Sequence, residues 1–87
     1  MRVRNIATLT IPSAEGKEQV PLRLDNDGAR LLTSAGTELE RELFLSLRDR
    51  RGAMIVADDP KQIRKLLRLA PTDSAVVDRG RRGSRDS

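Results

Sequence analysis

The sequence predicts a small α/β protein, with a mostly parallel sheet and helices packed on it. Three observations carry this. Apolar residues alternate near the start (Val3, Ala7, Leu9 and Ile11 against Arg2, Arg4, Thr8 and Thr10). A continuous apolar run, AMIVA, occupies 53–57. Two segments with helical apolar spacing flank that run. Strands alternating with helices imply crossover connections and hence parallel pairing. The 87 residues suit one domain, read as 1–77, followed by a basic tail at 78–87.

Residues 2–11 alternate as a half-buried strand does, with Asn5 and Ile6 each out of phase. PSAEGKEQ at 12–19 is polar with Pro and Gly, and is expected to be a loop. VPLRLD follows, with Val20, Leu22 and Leu24 on one side; Pro21 points to an edge position or a late start of pairing. Asp25-Asn26-Asp27-Gly28 is turn chemistry. Leu39, Leu43, Phe44 and Leu47 form the apolar stripe of a helix over 37–50. Acids gather at its start, Arg48, Arg50 and Arg51 at its end, and Gly52 stops it. AMIVA fits a central strand. Asp58-Asp59-Pro60 then opens a helix at 60–69, with an Asp cap and Pro at the first helical position. Ile63, Leu66, Leu67 and Ala70 form its buried stripe; Lys61, Arg64, Lys65 and Arg68 form a solvated basic face, and Pro71 ends it. SAVV at 74–77 reads as a short last strand. The expected core is Leu39, Leu43, Phe44, Leu47, Ile55, Ile63, Leu66 and Leu67.

Composition excludes several functions. Without cysteine or histidine the chain lacks disulfides, thiolate chemistry and the usual neutral-pH base and metal ligand. No metal or cofactor is expected, and the protein is not read as an enzyme. Phe44 is the only aromatic residue, which disfavours single-strand nucleic-acid binding by stacking. The net charge is +4, of which the tail DRGRRGSRDS (four Arg, two Asp) carries +2. The body is nearly balanced, which argues against a dedicated polyanion binder. With no apolar residue after Val77, the tail is expected to be disordered. No membrane-length apolar run occurs and MRVRNIATLTI lacks a signal-peptide core, so the expected location is cytoplasmic.

The most unusual stretch is LLTSAG at 31–36, where an apolar pair hands over to the helical segment through two hydroxyls and two small residues. At the carboxyl end of a strand such a loop would present Ser34 beside the N–H groups of a helix start. Ser34 alone is also a candidate N-cap, and Thr37 with Glu40 matches a capping box.

LRLDNDGARLLTSAG resembles the central motif of the STAS domain, the fold of bacterial anti-sigma factor antagonists. In that likeness Asp25 matches the strand-end acid, Gly28 the turn glycine, Leu31 and Leu32 the apolar pair, and Ser34 the serine that is phosphorylated. SLRDRRGAMIVADDPKQIRKLLRLAPTD is similar to the downstream helix, strand and helix, so the likeness covers about 20–77. Thr33 stands where many members have an acid, Thr37 where an apolar residue is common, and the family's first helix is missing.

The resemblance implies partner switching in sigma-factor regulation. The unmodified protein binds an anti-sigma factor with serine kinase activity. Phosphorylation of Ser34 expels it, and a phosphatase resets it. Thr33, Ala35, Gly36 and Asp25 would border the partner surface. The runner-up reading is a degenerate STAS-like scaffold or homodimerisation module without switching, favoured by the missing helix. A third reading is a basic nucleic-acid accessory protein driven by the tail and the 61–68 stripe. MIVADDPKQIRKLL also resembles the opening of a response-regulator receiver, but fewer than 30 residues follow Pro60, too few for that fold's later strands. Asp25 and Asp27 as paired catalytic carboxylates are more simply turn residues.

Overall fold

The computed structural model describes residues 5–81. In chain order these form β1 (Ala7–Ser13), β2 (Gly16–Leu24), β3 (Leu31–Thr33), α1 (Arg41–Arg51), β4 (Met54–Ala57), α2 (Pro60–Leu66) and β5 (Val76–Asp78), then a 3-10 turn, Arg79–Arg81. The five strands make one sheet in the order β3-β2-β1-β4-β5.

The α/β class holds, but the sheet is mostly antiparallel rather than mostly parallel. β1–β2, β2–β3 and β1–β4 pair antiparallel, and only β4–β5 is parallel. The connections explain this. A tight tip at Ala14–Glu15 and a short loop at 25–30 can return the chain only antiparallel, whereas α2 supplies the crossover that a parallel pair needs. The segment 12–19, expected as a loop, is the tip of this β1–β2 hairpin: Pro12 pairs with Lys17 and Ile11 with Glu18. Residues 12–19 are exposed, so no apolar alternation marks them as strand.

Pro21 marks neither an edge strand nor a late start of pairing: it is in the middle of the interior strand β2, opposite Thr8. The Leu22 carbonyl accepts the Ile6 N–H at 3.0 Å, so Leu22 faces β1 and the nitrogen of Pro21 points to the other side. On that side β3 pairing begins only at Leu22↔Thr33, and no donor is lost.

One sheet face carries the core. The register aligns Leu22, Ala7 and Ala57 in one row and Val20, Leu9, Ile55 and Val76 in the next. Phe44 of α1, Ile63 of α2 and Leu67 pack on these residues, with Leu31 and Leu39 closing the β3 side. Both helices therefore cover the same face.

The expected core needs one correction. Leu39, Phe44, Ile55, Ile63 and Leu67 are buried, and Leu47 and Leu66 are partly buried, but Leu43 is 44% exposed. Leu39 is not helical: its N–H donates to the Leu31 carbonyl at 2.7 Å, and α1 begins only at Arg41. The four-residue step from Leu39 to Leu43 therefore has no helical meaning, and Phe44, about 100° further round, takes the inward position. Ala70, expected on the buried stripe of the second helix, is exposed, because that helix stops at Leu66 and Arg68 turns left-handed at φ 57°.

The helix boundaries otherwise follow the sequence signals. Gly52 ends α1 at φ 68°, its N–H bonded to the Arg48 carbonyl. Asp59 caps α2 through the Gln62 N–H, with Pro60 at the first position. The expected disordered tail begins too early at 78. Asp78 closes β5 and accepts the Gly80 N–H at 2.7 Å, and Arg79 Nε lies 3.5 Å from Asp58 Oδ1. Residues 82–87 lie outside the described residues.

Candidate functional site

The TSAG stretch is not a helix start. Leu31–Thr33 forms β3, and 37–39 returns antiparallel alongside it, with Leu32 bridged to Glu38 and the Thr33 N–H bonded to the Thr37 carbonyl at 2.8 Å. Between them the Gly36 N–H donates to the Thr33 carbonyl at 2.9 Å, and Gly36 sits at φ 85°. This is a tight hairpin in which a turn is followed by a left-handed glycine, the geometry that lets two strands meet without splaying. The hydroxyl of Thr33 accepts the Thr37 N–H at 3.3 Å and braces the turn from inside. Ser34 and Ala35 form its outer corner.

Ser34, Ala35, Gly36 and Thr37 are all exposed, and Thr33 is partly buried. The tip therefore presents a small, uncharged, hydroxyl-bearing knob. The N-cap of α1 is Glu40, whose side chain makes no cap hydrogen bond. Neither Ser34 nor Thr37 caps this helix, and the capping-box reading of Thr37 with Glu40 fails because Thr37 belongs to the returning strand. The positive end of α1 is accordingly six residues downstream of Ser34.

Asp25 occupies the other end of the β2–β3 ladder. Its carboxylate accepts the N–H groups of Ala29 at 2.9 Å and Arg30 at 3.3 Å, and pairs with Arg30 Nε at 3.0 Å. Burial pushes its pKa up, but the Arg30 side chain and these two N–H groups outweigh that and leave the carboxyl below its ordinary value. Its backbone also closes the loop, donating to the Arg30 carbonyl and accepting from Gly28. Asp25 thus knots the 25–30 loop. Thr33, Ser34, Ala35 and Gly36 share one turn, and Asp25 is separated from them by the length of β3.

Two features had no clear sequence signal. Asp73 ties three elements together: its carboxylate accepts the Ala75 N–H at 2.9 Å and both oxygens lie 2.9 Å from Arg48 Nη1 of α1. Arg64 of α2 donates to the Asp73 carbonyl at 3.2 Å and the Val76 carbonyl at 2.7 Å. The basic stripe is therefore not uniformly solvated; Lys61, Lys65 and Arg68 are exposed, while Arg64 is drawn to β5. The second feature is the blocking of both sheet edges. The 37–39 segment runs outside β3, and Arg64 occupies the outward carbonyl of β5.

A hollow of about 780 Å³ opens at the carboxyl end of the parallel β4–β5 pair beside Asp58, Asp59, Lys61 and Asp78. Its polar groups are mostly engaged: Asp58 with Arg79, Asp59 with Gln62, and Asp78 with Gly80. It lies across the sheet from Ser34. Among the described residues, no group of three acidic side chains converges to hold a metal, and no helix is long and apolar enough to cross a membrane.

Compared with family models, curated proteins and solved structures, the chain matches none.

Proposed function

We propose that the chain is a non-catalytic protein-binding module recognised through the hairpin tip at Thr33–Gly36. The observation that carries this reading is the tip itself: a rigid turn that holds Ser34 and Ala35 outermost, with no charge in the contact and no other described element over it. Small residues at such a corner let a second surface approach closely. The resemblance of residues 20–77 to anti-sigma factor antagonists gives the partner class, an anti-sigma factor with serine kinase activity, and makes Ser34 its phospho-acceptor.

The tip geometry alters how such a switch would act. No helix start lies at Ser34 to receive a phosphate, so the added charge of about −1.5 to −2 would act on the partner by repulsion and desolvation rather than on this fold. Phosphorylation is expected to weaken binding while leaving the melting temperature unchanged. The test is incubation of the purified protein with an anti-sigma kinase and ATP, followed by mass spectrometry of the tryptic peptide 31–41. Phosphate at Ser34, lost in Ser34→Ala, supports the reading; Ser34→Asp should bind less tightly than Ser34→Ala. Phosphate confined to Thr33 or Thr37 moves the site. Neither phosphate nor binding with any anti-sigma kinase of the host refutes the switch.

A second reading, a scaffold or homodimerisation module without switching, is favoured by a separate observation: among the described residues, one face of the sheet has no helix on it.

A further inference from the structure

Helix α2 carries three cations, Lys61, Arg64 and Lys65, and no acid. Lys61 and Lys65 stand one turn apart, a spacing at which like charges repel. Both are exposed, and among the described residues neither makes an ion pair. The helix is held to the sheet through Ile63, with Leu67 just beyond its end, so the packing does not use the lysine charges.

The end of α2 gives these cations an apolar floor. Arg68 turns left-handed at φ 57°, its N–H bonds to the Lys65 carbonyl at 3.2 Å, and the Leu69 N–H returns to the Arg64 carbonyl at 2.8 Å. This paired closure brings the chain back beside the last turn of the helix. Leu69 and Pro71 then line a groove of about 420 Å³ together with Lys61, Arg64 and Lys65. Arg64 is fixed there by its bonds to the Asp73 and Val76 carbonyls. The acids nearest in sequence, Asp58 and Asp59, border the neighbouring hollow instead and are engaged with Arg79 and Gln62.

We infer that this groove binds an acidic peptide segment, with one apolar side chain seated on Leu69 and Pro71 and flanking carboxylates paired with Lys61 and Lys65. Charge complementarity sets the sign of the partner, and the floor sets its class. A nucleic-acid strand would use the cations but leave the floor unfilled, since the groove has no aromatic ring to stack a base. The contact is small and its ion pairs are exposed, so binding is weak and falls with salt. It is separate from the hairpin-tip reading. α2 packs beside β4 and β5, while Ser34 lies just past β3 at the other edge of the sheet.

The experiment is an amide chemical-shift titration of the isotope-labelled full chain with a set of acetylated five-residue peptides. Each has glutamate or aspartate at four positions and leucine, isoleucine, methionine, valine or alanine at the centre. At least one peptide with a large apolar centre should shift the amides of 61–71 saturably, at least threefold more tightly than its alanine-centred counterpart. Raising salt from about 50 to about 300 mM should weaken that peptide at least threefold. Lys61→Ala and Lys65→Ala should each weaken it at least threefold with an unchanged circular dichroism spectrum. Arg68 is exposed but does not line the groove, so Arg68→Gly removes the same charge and should leave affinity within about twofold. Equal binding of the alanine-centred peptide, or an Arg68→Gly loss as large as that of Lys65→Ala, would reduce the effect to net charge and overturn the groove. A single-stranded thymidine oligomer that binds more tightly than every peptide and displaces them makes the occupant a nucleic acid and overturns the proposal. No saturable shift with any peptide up to about 5 mM overturns it too, and leaves the Ser34 reading untouched.

Discussion

Replacing Asp73 should loosen two elements at once. Its carboxylate holds the Ala75 N–H at the approach to β5 and Arg48 on α1. The Arg48 side chain is 33% exposed, so the ion pair is worth about 0.5–1 kcal/mol. The part-buried Ala75 N–H left without an acceptor costs about 1–2 kcal/mol. Asp73→Ala should therefore cost about 1.5–3 kcal/mol, a large share of the roughly 4–13 kcal/mol expected for a chain of this length. Asp73→Asn keeps an oxygen for Ala75 and should cost about 1 kcal/mol. Combined with Arg48→Met, the double-mutant coupling should be about 0.5–1 kcal/mol. The Ala75 N–H first, and then Arg48, hold the Asp73 carboxyl below the usual carboxylate range against partial burial. A carboxyl depressed in the folded state stabilises fully above its unfolded pKa and loses that contribution as pH falls through the folded value. The gap between wild type and Asp73→Ala should thus be constant at neutral pH and close below about pH 4. Urea unfolding followed at 222 nm measures each quantity. Asp73→Ala within 0.5 kcal/mol of wild type would refute the reasoning; Asp73→Asn as damaging as Asp73→Ala would show that charge, not the backbone bond, dominates.

Two further substitutions test the helix phase and the hairpin tip. Phe44 is fully buried with Arg48 stacked 5.8 Å from its ring centre, so Phe44→Ala should cost about 3–5 kcal/mol, while Leu43→Ala at a 44% exposed site should cost less than about 1 kcal/mol; equal costs by denaturation would overturn the assigned phase. A side chain at Gly36 meets no atom within 4 Å, so the penalty there is purely conformational: Gly36→Ala should cost about 1 kcal/mol and Gly36→Val more, with Gly36→Asn the mildest, and a neutral Gly36→Val in thermal melts would contradict the left-handed turn.

The sequence was most readable where burial imposes a pattern. Leu9, Ile11, Leu22, Leu24 and Ile55 alternate or cluster because one side of each strand is packed, and Asp59-Pro60 and Gly52 mark helix ends through local chemistry that needs no tertiary context. It misled where burial is absent or where one motif serves two geometries. Lys17, Glu18 and Gln19 pair in a hairpin whose residues are exposed, so nothing forces alternation. Thr-Ser-Ala-Gly offers capping groups for a helix and also the turn and left-handed glycine of a hairpin. The distinguishing signal was Leu39: it lies opposite Leu31 across the turn, a cross-strand partner rather than a first helical residue. The direction of pairing was lost for a different reason. Alternating strands and helices suggested crossovers, but the unread hairpin placed two reversals before the first helix. Of the candidate site, exposure of Ser34 was foreseen; the separation of Asp25 and the Asp73 knot depend on contacts distant in sequence.

The central position of β1 governs how this chain comes together during synthesis. Residues 7–13 pair with β2 on one side at once, through the two-residue tip. Their other side waits for Met54–Ala57, more than forty residues later. Until β4 emerges, β1 carries an open strand edge beside an uncovered apolar row of Ala7, Leu9 and Ile11. At elongation rates of about 5–20 residues per second that interval lasts a few seconds, ample time for another nascent copy to pair with the vacant edge. The same strand that unites the finished sheet is therefore where a chaperone would have most to protect.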